Sequence, residues 1–123
     1  PTILKASGLK LRPHQHIDGQ DLSPLLRGKG NFEREAIFWH YPHYNQHPQS
    51  FPSGVVRAGD WKLIEDYETG KVSMYNLSND LSEKNDQADL QPFRTVQLYN
   101  KLRQWRKEVG ADVMRPNPQF IEK

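Results

Sequence analysis

The chain has 123 residues, of which 35% are hydrophobic, a formal net charge of +2 and no cysteine. That length suits one domain with a modest core, and the lack of thiols excludes disulfides, thiolate metal sites and a cysteine nucleophile within it. So small a net charge gives no reason to expect nucleic-acid binding even at a sequence pI of about 9.0, and no apolar run is as long as a membrane span.

A mean hydropathy of −0.89 demands an economical core, and three Trp, five Tyr and five Phe supply large buried areas per residue. No charged–apolar–small segment at the start reads as a signal peptide. The chain begins at Pro1 without Met, and the expectation is a piece of a longer protein.

In chain order, residues 1–9 (PTILKASGL) predict the last turns of a helix ended by Gly8, whose missing Cβ suits a left-handed cap. Asp18-Gly19 is a turn, followed by one helical turn over Leu22, Leu25 and Leu26, which are expected to pack locally. Residues 29–31 read as loop and residues 33–35 as a polar lead. Four strands follow, at residues 35–41, 53–58, 61–66 and 71–77, the first rich in β-branched and aromatic residues and stopped by Pro42. Gly59-Asp60 and Glu68-Thr69-Gly70 are turn chemistry between alternating runs. Residues 41–48 form a loop holding Pro42 and Pro48. Ser82 is expected to cap a short helix through Ala88. Pro92 opens a longer helix to about Val109, with Phe93, Leu98, Leu102, Trp105 and Val109 on its apolar stripe. Gly110 ends that helix, and Pro116 and Pro118 prevent a restart. The fold class is α+β: a small antiparallel sheet of about four strands with a long C-terminal helix packed on one face.

The ordered set Phe38-Trp39-His40-Tyr41-Pro42, then residues 56–64 (VRAGDWKLI), then Met74-Tyr75-Asn76-Leu77 with Asn79, Asp80 and Glu83, resembles the C-terminal subdomain of the type I sulfatases, the arylsulfatase and N-acetylgalactosamine-6-sulfatase group. Residues 1–8 (PTILKASG) are similar to the end of a helix in that family's catalytic domain. Residues 18–28 (DGQDLSPLLRG) resemble its connector, with Asp21 standing where Ser is common. The resemblance therefore implies residues 1–30 as the end of the catalytic-domain helix plus connector, and 31–123 as the C-terminal subdomain of an alkaline-phosphatase-like parent. It implies a sulfuric ester hydrolase acting on sulfated sugars, secreted or periplasmic, whose N-terminal catalytic domain is this chain's partner.

His40, His43 and His47 fall within eight positions, and imidazole is a common metal ligand. No Cys or nearby carboxylate completes a familiar ligand set, so no metal is expected here. His14 and His16 are expected in an exposed loop. By residue type, Tyr41 and Tyr44 suit packing on a sugar ring, and the resemblance implies that His40 and His43 face the mouth of the substrate cleft; the other reading makes His40 a satisfied sheet residue and Tyr41 core. Arg57 either meets an anionic ligand or pairs with Glu65 or Asp60, the pairing being favoured. Lys62 is expected to face solvent by strand alternation.

No catalytic residue is assigned. The (C/S)-x-P-x-R motif that yields the family's formylglycine is missing, since Ser23-Pro24 and Arg115-Pro116 do not match it. The family's Ca²⁺ ligands also belong to an N-terminal part, so no cofactor is expected in this chain. The chain alone is expected to be inactive toward sulfate esters. Two competing readings are a free-standing module that binds an anionic glycan through His43, Tyr44 and Arg57, and a protein-interaction domain that uses the connector leucines.

Overall fold

A computed structural model describes residues 1–30, 34–47, 49–115 and 117–119. The expectations that fall on Asn31, Glu33, Pro48 and Pro116 lie outside the described residues. The chain divides into two compact units, Pro1–Arg34 and Glu35–Lys123.

The first unit holds α1 (Thr2–Ala6), a 3₁₀ turn (Pro13–Gln15) and α2 (Ser23–Leu26). Gly8 takes a φ of 69° just past α1, where a Cβ would be strained. Polar side chains tie the unit together. The Leu22 N–H donates to Thr2 Oγ1 at 2.9 Å, and Lys5 pairs with Asp21 at 2.7 Å. Asp21 also accepts from the Ser23 hydroxyl at 2.5 Å and the Ser23 N–H at 3.0 Å. Lys5 first, then Ser23, hold the Asp21 carboxyl far below the usual carboxylate range. Leu22, Leu25 and Leu26 are exposed, contrary to the expected local packing, because the single turn of α2 is held by polar contacts at Leu22 and Ser23. His14 is exposed; His16 is half-buried, and its Nε2 accepts the Arg12 N–H at 3.1 Å.

The second unit is a four-stranded antiparallel meander in the order β1-β2-β3-β4, with β1 at Ile37–Tyr41, β2 at Ser53–Ala58, β3 at Trp61–Asp66 and β4 at Val72–Asn76. The register pairs Phe38 with Val56, Val56 with Leu63 and Leu63 with Met74. Period-2 alternation therefore sends that row to one face. Helix α3 (Pro92–Glu108) covers this face with Leu98 and Leu102, and the Trp105 ring stacks on Phe38 at 4.8 Å. This is the architecture expected from the strand and helix periods.

Two apolar members of the expected helix stripe fall outside it. Phe93 is exposed, since five residues at 3.6 per turn place it about 140° from Leu98. Val109 is exposed as the C-cap residue. Thr95 holds the first turns instead, donating its hydroxyl to the Ala88 carbonyl at 2.9 Å.

The helix expected from Ser82 to Ala88 does not form. Side-chain acceptors capture the backbone there: Asp80 takes the Asn85 N–H at 2.8 Å, and Asp86 takes the Met74 and Ala88 N–H groups at 2.9 and 3.0 Å. Glu83 sits at a φ of 54°, which breaks any helix and turns its carboxylate onto Lys62 at 2.7 Å. Lys62 is thus half-buried and paired, not the solvated residue that alternation suggests. Asp86 and the Gln87 N–H, which donates to the Met74 carbonyl at 2.7 Å, also satisfy the outer edge of β4 and leave less of it for strand addition.

Gly54 lies on the helix face of β2 between His40 and Glu65. A Cβ there would meet Tyr67 Oη at 2.3 Å and Cζ at 2.9 Å, so the missing side chain is the space Tyr67 occupies. Gly54→Ala is expected to displace Tyr67 and destabilise the unit by about 1–3 kcal/mol. Urea unfolding of the variant beside wild type measures this, and an unchanged midpoint counts against it.

Candidate functional site

Antiparallel pairing brings the end of β1, the start of β2, the end of β3 and the start of β4 to one end of the sheet. The β1–β2 loop (residues 42–52), the β3–β4 turn (residues 67–71) and the segment after α3 meet there. Three of the four candidate contacts, His40, His43 and Tyr44, belong to this end.

His40 is on the helix face of β1, half-buried, with both ring nitrogens engaged. Nδ1 lies 2.6 Å from Tyr67 Oη and Nε2 lies 2.7 Å from the Asp112 carbonyl. His43 is exposed in the loop, its ring edge-on to Tyr41 at 5.6 Å. Tyr44 is exposed beside the β3–β4 turn, and partial loss of hydration, then the Glu68 carboxylate, push its hydroxyl above the ordinary value. Neither His43 nor Tyr44 belongs to the buried core.

Behind His40 runs a polar chain buried between β3 and α3. Arg106 lies over the Tyr67 ring at 5.0 Å and pairs with Glu65 at 2.8 Å. Glu65 is buried and accepts the Tyr99 hydroxyl at 2.9 Å. Burial raises the Tyr67 hydroxyl above its usual value against the opposing pull of Arg106. Burial, then the bond to Glu65, does the same for Tyr99. A cavity of about 500 Å³ opens beside this chain, lined by His40, Glu65, Tyr67, Arg106, Val113 and Met114 among others.

Arg57 is placed elsewhere, on the open face of the sheet toward the β2–β3 turn. Its Nε donates to the Gly59 carbonyl at 3.5 Å. The expected pairing with Glu65 is not made, because alternation puts Glu65 on the opposite face. Arg57 lines a groove of about 760 Å³ with Trp39, Tyr41, Phe51 and the Lys62–Glu83 pair. Tyr41 is therefore on this open face and exposed, not in the core. His47 lines the same groove, so the three clustered histidines diverge. No group of three or more His, Cys, Asp or Glu able to hold a metal occurs among the described residues.

The Glu65–Arg106–Tyr99 chain escapes a reading by motif, yet a signal for it exists. Trp61, Leu63 and Glu65 share one strand face, so an acid standing in an apolar row calls for a buried partner. Tyr67 is announced only by Gly54, a glycine inside a strand pattern.

A family model described as "N-sulphoglucosamine sulphohydrolase, C-terminal" matches residues 1–108. A curated relative named "Sulfatase", from Formosa agariphila, is 31% identical over 119 residues, covering 85% of this chain and 21% of its own length. Among solved structures, BT4656 in complex with its substrate D-glucosamine-2-N,6-O-disulfate is 26% identical with a TM-score of 0.69, over 87% of this chain and 22% of that one. BT1596, a 2-O GAG sulfatase, has a TM-score of 0.71 at 19% identity, over 91% of this chain and 24% of that one, a likeness of fold. The chain spans between a fifth and a quarter of the length of these relatives.

Proposed function

Because the chain belongs to the N-sulphoglucosamine sulphohydrolase C-terminal family, we propose that it completes a larger sulfatase that hydrolyses sulfate esters of sulfated sugars. The observation that carries this is the extent of the family match: it runs through both units and stops at Glu108, the last residue of α3.

In this reading the sheet and helix are a scaffold, and the loop at the sheet end supplies contacts to the sugar. His43 and Tyr44 are the residues suited to that role, one offering an imidazole to hydroxyl or sulfate oxygens and the other an aromatic face and a hydroxyl. His40 stands behind them as support. The aromatic open face, with Trp39, Tyr41 and Phe51, is the surface offered to the N-terminal catalytic part of the polypeptide, and Arg57 lies within it. The formylglycine and Ca²⁺ that such a hydrolase uses to attack and neutralise the sulfate group would be held by residues outside these 123.

The test extends the reading frame upstream through a (C/S)-x-P-x-R motif and assays the longer protein on sulfated glucosamines. The expected result is sulfate release by the longer protein, none by the 123-residue chain, and at least a tenfold loss of kcat/KM in His43→Ala. If the longer protein carries formylglycine by mass spectrometry and Ca²⁺ yet releases no sulfate from mono- and disaccharides sulfated at different positions, the reading fails.

A further inference from the structure

His40 joins three segments that are far apart in sequence: its own strand β1, Tyr67 in the β3–β4 turn, and Asp112 beyond α3. A carbonyl oxygen can only accept, so the nitrogen facing Asp112 carries the proton and the ring is the Nε2–H tautomer when neutral. Nδ1 is then an acceptor, and the Tyr67 hydroxyl donates to it. Arg106, a pure donor set over Tyr67 and paired to Glu65, suits a hydroxyl whose proton points toward His40. Gly54 makes the geometry possible by leaving room for Tyr67 to cross β2.

Past α3 the backbone has little else to hold it. The Ala111 N–H still donates to the Arg106 carbonyl at 2.9 Å, but residues 112–115 belong to no helix or strand. Val113 is exposed, and Val113 and Met114 form part of the wall of the 500 Å³ cavity. From these contacts we infer that His40 is a latch: held as the Nε2–H tautomer by the Asp112 carbonyl and steadied at Nδ1 by the Tyr67 hydroxyl, it pins residues 111–114 as a strap across the cavity beside the end of α3. The imidazole is a positioning residue that keeps the strap and the root of the 42–52 loop on one rigid base. Both its nitrogens are spent inside the fold, so it has no polar atom left for a sugar. This inference stands on the contacts of the second unit and is independent of the sulfatase reading.

The experiment uses the 123-residue chain and two readouts. Ring ¹⁵N chemical shifts of His40 in wild type are expected to show the Nε2–H tautomer; an Nδ1–H ring overturns the latch. Amide hydrogen exchange is then compared between His40→Leu and wild type. Exchange of the Ala111 amide, the strap N–H that donates to the Arg106 carbonyl, is expected to quicken at least about fivefold relative to the Leu63 amide, the change produced by losing one ordinary hydrogen bond. His40→Gln, whose side-chain amide can still donate to the Asp112 carbonyl, is expected to restore part of the protection, a rescue that a mere packing role would not give. Tyr67→Phe removes only the hydroxyl and keeps the proposal testable where His40→Leu does not fold: its His40 ring is expected to stay Nε2–H, held by the Asp112 carbonyl, while strap exchange quickens as the ring loses its bond at Nδ1. Unchanged strap exchange in His40→Leu beside an intact Leu63 amide, or unchanged strap exchange in Tyr67→Phe, overturns the inference.

Discussion

Leu102→Ala is expected to destabilise the sheet–helix unit by about 2–5 kcal/mol, the range for a buried Leu truncated to Ala. Leu102 is 0% exposed and packs among Val56, Leu63, Met74 and Leu98, which are nearly all the buried apolar side chains this small core contains. Its removal forfeits the transfer free energy of the lost methyl groups and leaves a void between helix and sheet. Neither surface can collapse into that void without breaking the Phe38–Trp105 stack nearby. Against a total stability of about 5–15 kcal/mol for a domain of this size, such a loss is a large fraction of the whole. Urea denaturation followed by Trp fluorescence measures it. Phe93→Ala, on the same helix but 77% exposed, is the control and is expected to stay within about 0.5 kcal/mol of wild type. Equal effects of the two would mean that α3 does not pack as described.

The second large effect is expected at Glu65. Glu65→Leu removes the carboxylate that pairs with Arg106 and accepts from Tyr99, leaving a guanidinium with only 18% of its side chain exposed and no counter-charge. Breaking a buried pair from one side costs about 3–5 kcal/mol, because the remaining charge has lost both water and partner. Replacing both members with apolar residues is a different matter. The double variant Glu65→Leu with Arg106→Leu is expected to recover at least half of the loss, since no uncompensated charge then remains. A double-mutant cycle by urea denaturation decides this. If the two single losses simply add, the pair is not coupled and the buried network is not what holds the end of α3 to the sheet.

Much of the fold is legible because it follows from local chemistry. Alternation in residues 53–58 and 61–66, and the glycines at the turns, define β2 and β3 to the residue. The four-residue and three-residue spacing of Leu98, Leu102 and Trp105 identifies the helix and its inner face. The failures have equally local causes. Phe93 is off the stripe by simple helical geometry, and Ser82 caps nothing because Asp80 and Asp86 bind the backbone that a helix would need. Of the candidate contacts, His43 and Tyr44 emerge together on one loop, while His40 and Arg57 are separated by the two faces of the sheet. Three histidines close in sequence point in different directions, since strand alternation and a loop intervene.

By itself the sequence determined the α+β class, the number and order of the strands, the long closing helix and the family to which the chain belongs. Each of these is written in hydrophobic period, turn residues or an ordered motif. Only the tertiary structure decided which polar residues face one another. Glu65 meets Arg106 across 41 positions, counted from their numbers, and His40 meets Asp112 across 72. No local pattern encodes such a pairing, because it depends on how the twist of the sheet and the seating of α3 bring distant backbone together in space.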